Sequence, residues 1–330
     1  MSDFLFSLNI VMPMAILLAI GYLFKKTGFF TQEFIRTGQK LCFYALLSCS
    51  LFKNLYDSDL EKIPYRFITF LVFAILIEIA LSFLAADFIT KKREQKGVII
   101  QGAFRSNFAY IGIPLATMFF SDPGMLERTA SEISLASIFI IPIFNVFAVI
   151  ALSAYSDHKD DASLLKRSLA GIMRNPCIIS IVCGVLVLLL RLAVPQASYF
   201  IRDQIPFLYK VLGYLASMST PFAFLLVGAS LDIEKSVSDF RQLVSVVLLK
   251  DLIFPALALA AFALLKIGDG VEYAILVSAF ASPTAVASAI MASEMGGDQD
   301  LANEIVAYTT LFSLISLLII IYTLKTTGCL

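Results

Sequence analysis

Long apolar runs broken by short polar stretches dominate the chain. A membrane crossing needs about 20 mostly apolar residues. At that length the runs predict ten helices: 4–24, 36–56, 65–90, 97–120, 130–155, 175–194, 205–231, 240–266, 271–293 and 301–324. The first run, Phe4 to Phe24, carries no charge. The second opens on Arg36, Gly38, Gln39 and Lys40, so its start is expected in the interface. The longest polar stretch, 156–174, has Leu164, Leu165, Leu169 and Ile172 at helical spacing. It reads either as a helix lying on the membrane surface or as a solvated linker.

Composition agrees with the runs. Hydrophobic residues make up 59 % of the 330 residues, charged residues 15 %, and the mean hydropathy is +0.87. Soluble chains run at about 45–50 % and about 25 %. The expected fold class is therefore an all-α polytopic membrane protein. A soluble enzyme, a disordered chain and a nucleic-acid binder are excluded, and no room remains for a separate soluble domain. Lys+Arg and Asp+Glu both number 25, so no net field attracts polyanions.

Candidate chemistry is sparse. The five cysteines are odd in number, and Cys42, Cys49, Cys177 and Cys183 fall in apolar runs. That argues against a disulfide scaffold and a metal site. His158 is the one histidine and lies in the polar stretch, against an imidazole relay. Met1-Ser2-Asp3 lacks a basic n-region, so no signal peptide is expected. No phosphate-binding G-x-x-x-x-G-K-[ST] occurs. No enzyme activity, cofactor or metal is expected. The expected partners are the lipid bilayer and a small solute; coupling to protons or sodium, and pairing into a homodimer, stay open.

Basic residues set the orientation. Loops on one side carry 14, from Lys25 to Arg241; the other side and its helix ends carry 9, from Lys53 to Lys325. Arg105 and Lys250 lie within spans. The richer side is expected in the cytoplasm, with both termini outside the cytoplasmic membrane.

Short matches recur along the chain. GAFRSN (102–107) pairs with SAFASP (278–283), DLEK (59–62) with DIEK (232–235), and SEI (131–133) with NEI (303–305). The offsets are nearly equal. They predict a five-helix repeat, 1–155, a cytoplasmic linker, 156–174, and a second repeat, 175–330. Five is odd, so the second copy is inverted, as in many secondary transporters. The alternative is chance similarity between apolar helices.

The fourth and ninth helices would be equivalent in such a repeat. The fourth contains Arg105-Ser106-Asn107 and then Gly112-Ile113-Pro114; the ninth contains Ser282-Pro283-Thr284. A proline removes an N–H and clashes with the preceding turn. Inside a membrane this is tolerated where the freed carbonyls find protein, water or ligand. Two such helices broken at Gly112, Pro114 and Pro283 and crossing at the midplane would build a binding site. An ordinary kink with Ser and Asn as packing groups is the alternative.

These motifs, with Gly21 to Gly28, Asn175-Pro176, Pro221, Lys250, Pro255 and the run Ala281 to Ala292, resemble the auxin efflux carrier family. That family includes plant carriers and bacterial malate-permease-like proteins. The resemblance covers nearly the whole chain. It implies ten helices in two inverted repeats, crossed broken helices four and nine, and transport of organic anions by an elevator motion. Plant members carry Pro-Asn where this chain has Ser106-Asn107, so helix four is expected to kink less sharply or break elsewhere. Ser48 stands where many members have a proline. The long hydrophilic central loop of plant members is absent, which favours a prokaryotic-type carrier.

Glu78, Arg105, Lys250 and Asp251 are charges within spans. A charge at a helix centre costs about 2.5–3.5 kcal/mol, so each needs a partner or a wet cavity. Residues 98–120 and 273–293 hold no Asp or Glu; Arg105 is their one charge. The expected function is secondary transport of a small carboxylate, with Arg105, Ser106, Asn107, Lys250, Ser282, Pro283 and Thr284 in the substrate site. A membrane sensor that binds without transport is the rival reading.

Overall fold

The computed structural model describes residues 2–57, 64–155, 176–193, 199–231 and 239–330. The linker 156–174, with His158 and its leucines, lies outside these residues, as do DLEK and DIEK. The described residues are helical, and their only extended pairing is one antiparallel bridge, Ser106 to Thr284.

Chain order runs α1 (Ser2–Lys26), α2 (Gln32–Leu41), α3 (Ser48–Asp57), α4 (Tyr65–Ile89), α5 (Arg93–Phe104), α6 (Ile113–Ala116), α7 (Pro123–Tyr155), α8 (Pro176–Ala193), α9 (Phe200–Gln204), α10 (Pro206–Ser230), α11 (Phe240–Leu248), α12 (Phe254–Leu265), α13 (Gly270–Phe280), α14 (Ala287–Glu294) and α15 (Gln299–Thr326). Wider π-helical turns, Cys42–Leu47 and Leu249–Ile253, join α2 to α3 and α11 to α12. A third, Phe108–Gly112, leads into α6. Among the described residues, six helices are long and apolar enough to cross a membrane: Asp3–Lys26, Tyr65–Ile89, Pro123–Tyr155, Pro206–Ser230, Phe240–Leu265 and Gln299–Thr326. Ile179–Arg191 and Gly270–Phe280 are shorter apolar helices.

The long spans are mostly apolar, and spacing decides which side packs. On α4, Phe67, Leu71, Ile75, Glu78, Ser82 and Ala86 are buried at helical intervals, while Phe73, Ile77, Leu84 and Phe88 are exposed. One stripe therefore meets protein, and the rest presents the apolar surface a bilayer accepts.

The helices pack in two groups. One holds α1, α2, α3, α8 and α10; the other holds α4, α5, α7 and α11 to α15. Contacts of α1 with α15, α3 with α7, and α10 with Phe108–Gly112 join them. Within the first group, α1 and α10 touch backbone to backbone. A Cβ on Gly21 would overlap the Leu225 carbonyl, and one on Gly228 would overlap the Leu18 carbonyl. Small residues permit such close approach between membrane helices.

Two of the predicted helices are discontinuous. In 97–120, helical backbone stops at Phe104 and resumes at Phe108. In 271–293, it stops at Phe280 and resumes at Ala287. The second helix starts four residues before its predicted Arg36, because Thr31 caps it by accepting from the Phe34 N–H at 3.1 Å.

Candidate functional site

The two interruptions complete each other's hydrogen bonding. Pro283 has no N–H, so the Ala279 carbonyl loses its helical donor. The Ser106 hydroxyl donates to that carbonyl instead. The Phe280 carbonyl accepts from Lys250 Nζ at 3.1 Å. Thr284 N–H donates to Thr309 Oγ1 at 3.1 Å, and Thr284 Oγ1 donates to the Gly102 carbonyl at 2.7 Å. Between the strands, Asn107 N–H donates to Pro283 O at 2.7 Å, and Ala285 N–H donates to Arg105 O at 2.9 Å. Every one of these groups is buried, where an unmade hydrogen bond is expensive.

Helix four therefore breaks at Arg105–Asn107, although no proline stands there. Arg105 (φ −79°, ψ 88°) and Asn107 (φ −74°, ψ 52°) leave the helical region. This corrects the expected weaker kink or displaced break. Gly112 and Pro114 lie past the break, in helical backbone. Gly112 serves close approach: a Cβ there would come within 2.7 Å of Ser278 O and of Phe108 Cδ2.

Lys250 is completely buried beneath the crossing. Its Nζ lies 2.6 Å from Ser106 Oγ and 3.5 Å from Glu78 Oε1. The π-helical turn Leu249–Ile253 carries it. Asp251, next in sequence, is also fully buried, and neither of its oxygens has a hydrogen-bond donor among the described residues.

Beside the crossing lies a cavity of about 170 Å³. Arg105, Ser106, Asn107 and Asn145 supply its polar wall; Phe43, Phe108, Tyr110, Ile141 and Phe144 supply much of the rest. No described Asp or Glu lines it. The Arg105 guanidinium donates to Asn145 Oδ1 at 2.8 Å, to Met291 Sδ at 2.9 Å and to Ser288 Oγ at 3.4 Å. All three partners are neutral. Asn107 Nδ2 is buried and has no acceptor among the described residues. The wall thus carries an uncompensated cation and an unused N–H donor, an arrangement that favours an anionic ligand.

Of the residues the sequence singles out, Arg105, Ser106 and Asn107 meet at this cavity. Ser282, Pro283, Thr284 and Lys250 stand behind it as parts of the crossing; Ser282 Oγ donates to Ser278 O at 2.7 Å. Sequence reasoning marked Asn145 as an amide within a span that needs several partners, but gave it no role. It also missed Gln101, whose Nε2 donates to Ser288 O at 2.9 Å and ties α5 to α14. Tyr110 was missed as well; its hydroxyl donates to Gln39 O at 3.1 Å across the two helix groups.

A family model described as membrane transport protein matches residues 6–321. An uncharacterized transporter of Methanocaldococcus jannaschii is 23 % identical over 315 residues, which cover 93 % of this chain and 96 % of that protein. The chain belongs to the membrane transport protein family, the auxin efflux carrier family that its motifs resemble. It is a multi-pass membrane transporter and not an enzyme.

Proposed function

We propose that this member of the membrane transport protein family is a secondary carrier of a small organic anion, most simply a mono- or dicarboxylate, across the cytoplasmic membrane. The observation that carries the reading is Arg105: a buried guanidinium at the wall of the crossing cavity, with neutral partners only and no acidic residue beside it among the described residues. A desolvated cation so placed gains most from an anion. The unpartnered Asn107 amide adds a second donor.

In this reading the chain crosses the membrane ten times as two inverted repeats, 1–155 and 175–330, joined by a cytoplasmic linker, with both termini outside. Alternating access is an elevator motion of the larger helix group against the smaller. The cavity suits that motion. Its polar wall comes from the larger group, while Phe43, between α2 and α3, closes it from the smaller. Phe43 and Tyr110 lie ring on ring at 6.0 Å across this boundary.

Uptake into proteoliposomes tests the reading. Saturable flux of a carboxylate such as malate or malonate is expected, reduced in Arg105→Gln. Saturable uptake of an organic cation, with no carboxylate competing, overturns it. Carboxylate binding without flux would make the protein a sensor.

A further inference from the structure

We propose that the outer groove between α4 and α12 is a binding site for an anionic phospholipid of the surrounding bilayer. Arg66 and Lys266 would hold the headgroup phosphate, and the apolar channel beyond them an acyl chain.

The groove is two cavities in continuity. One, about 630 Å³, is lined by Tyr65, Arg66, Thr69 and Lys266. The other, about 470 Å³, is lined by apolar side chains of α4 and α12, including Ala258 and Ala261. Phe70, Phe73 and Leu265 line both. From Tyr65 to Leu81 the groove follows α4 for about 24 Å at 1.5 Å per residue. One end is therefore basic and hydroxyl-bearing, and the remainder is apolar over a length that suits an extended hydrocarbon chain. The polar exception is Glu78, whose carboxylate lies against Lys250.

Three features of the basic end point to an anion from outside the chain. Arg66 and Lys266 are exposed, and among the described residues neither has an ion pair or a hydrogen bond. Arg66 stands in the first turn of α4, where the helix dipole disfavours a cation, and Pro64 at the N-cap offers no side-chain acceptor to the free N–H groups of that turn. An anion bridging Arg66 and those N–H groups would relieve both conditions. Lys266 is the one non-glycine residue with a left-handed φ among the described residues, at φ 49° and ψ 49°. Glycine is the usual choice at such a helix end. The helix dipole favours a cation near this end, but it does not require one in the left-handed position.

An anionic lipid satisfies both halves of the groove. A zwitterionic lipid brings its own cation to Arg66 and Lys266. A free phosphate leaves the apolar channel unused.

Native mass spectrometry of the full chain in detergent, titrated with phosphatidylglycerol or phosphatidylcholine, tests the proposal. Phosphatidylglycerol should bind preferentially. The variant Arg66→Gln/Lys266→Gly removes both charges and relaxes the left-handed backbone, so it should fold at least as well. At about fivefold per basic residue, its phosphatidylglycerol affinity should fall roughly 30-fold. Its phosphatidylcholine affinity should not change. Ala258→Phe/Ala261→Phe fills the channel and should weaken both lipids. Equal affinity of the parent for the two lipids overturns the proposal, and so does a preference that survives loss of both charges. Displacement of phosphatidylglycerol by inorganic phosphate at comparable concentration would overturn it too, because the chain would then contribute nothing. No transport is measured, so the outcome is independent of the carrier's substrate.

Discussion

The hydroxyl of Ser106 donates to the carbonyl of Ala279, the group that Pro283 leaves without a helical partner. The same oxygen accepts from Lys250 Nζ at 2.6 Å. Ser106→Ala therefore orphans a buried carbonyl and removes one of the lysine's acceptors. Each unsatisfied buried group costs about 1–3 kcal/mol. The variant should melt well below the parent in detergent. Ser245→Ala, a partly exposed serine bonded within its own helix, should melt with the parent. Equal melting of all three would show that the crossing does not depend on this hydroxyl.

The ion pair beneath the crossing leads to a second expectation. Lys250 and Glu78 are both buried, with Nζ and Oε1 3.5 Å apart. Removing one partner of such a pair typically costs about 3–5 kcal/mol, because the other charge stays buried and uncompensated. Lys250→Met should be poorly stable. Glu78→Gln in the Lys250→Met background should recover much of the loss, since a neutral amide needs no counter-charge. A double variant no better than Lys250→Met would mean that Lys250 acts through Phe280 O and Ser106 alone.

Half of this crossing was legible in the sequence. Pro283 announces its own break, because a missing N–H is a property of the residue. The partner break is not written that way. Arg105–Asn107 leaves the helix because Pro283 O and Ala285 N–H on the other strand take its backbone groups, and a pairing between residues so far apart in sequence has no local signature. Gly112 and Pro114 resemble breakers but lie in helical backbone: a proline fits an early helical turn, and Gly112 makes room for Ser278. Arg105 stood out as the only charge in its window, but that its partners would be Asn145, Ser288 and Met291 depends on packing.

The contact between α1 and α10 sets a third test. At Gly21 and Gly228 an added methyl meets backbone carbonyls, which cannot rotate away. Overpacking of this kind costs roughly 1–3 kcal/mol. Gly21→Ala and Gly228→Ala should each lower the melting temperature. Gly213→Ala on α10 is the control. Its new Cβ would approach only Lys53 Cε, at 3.8 Å, and alanine favours a helix, so the change should be neutral or stabilising by about 0.4–1 kcal/mol. Tolerance at Gly21 and Gly228 equal to that at Gly213 would refute the tight crossing.

Orientation can be read from Cys329, which is partly exposed, with its Sγ 3.5 Å from Thr327 Oγ1. With both termini outside, a membrane-impermeant maleimide should label intact cells, and Cys329→Ser should abolish that labelling. Labelling confined to inverted vesicles would reverse the topology drawn from the 14-to-9 distribution of basic residues.

Asn107 gives the sharpest test of the proposed anionic substrate. Its amide nitrogen is buried at the cavity without an acceptor among the described residues, two positions from the Arg105 guanidinium in the wall. Asn107→Asp changes volume hardly at all and leaves the bond from its backbone N–H to Pro283 O available. It exchanges a donor for a carboxylate that can neutralise Arg105 from within. A hydrogen bond to a charged ligand is worth about 1.5–3 kcal/mol, or roughly 10- to 150-fold in affinity. Carboxylate uptake by Asn107→Asp should fall by at least tenfold at subsaturating substrate, with the melting temperature close to that of the parent. Asn107→Ala, which loses the donor but adds no charge, should fall between the two. If Asn107→Asp takes up carboxylate at the parental rate, the cavity does not hold the anion, and the substrate site must lie elsewhere in the fold.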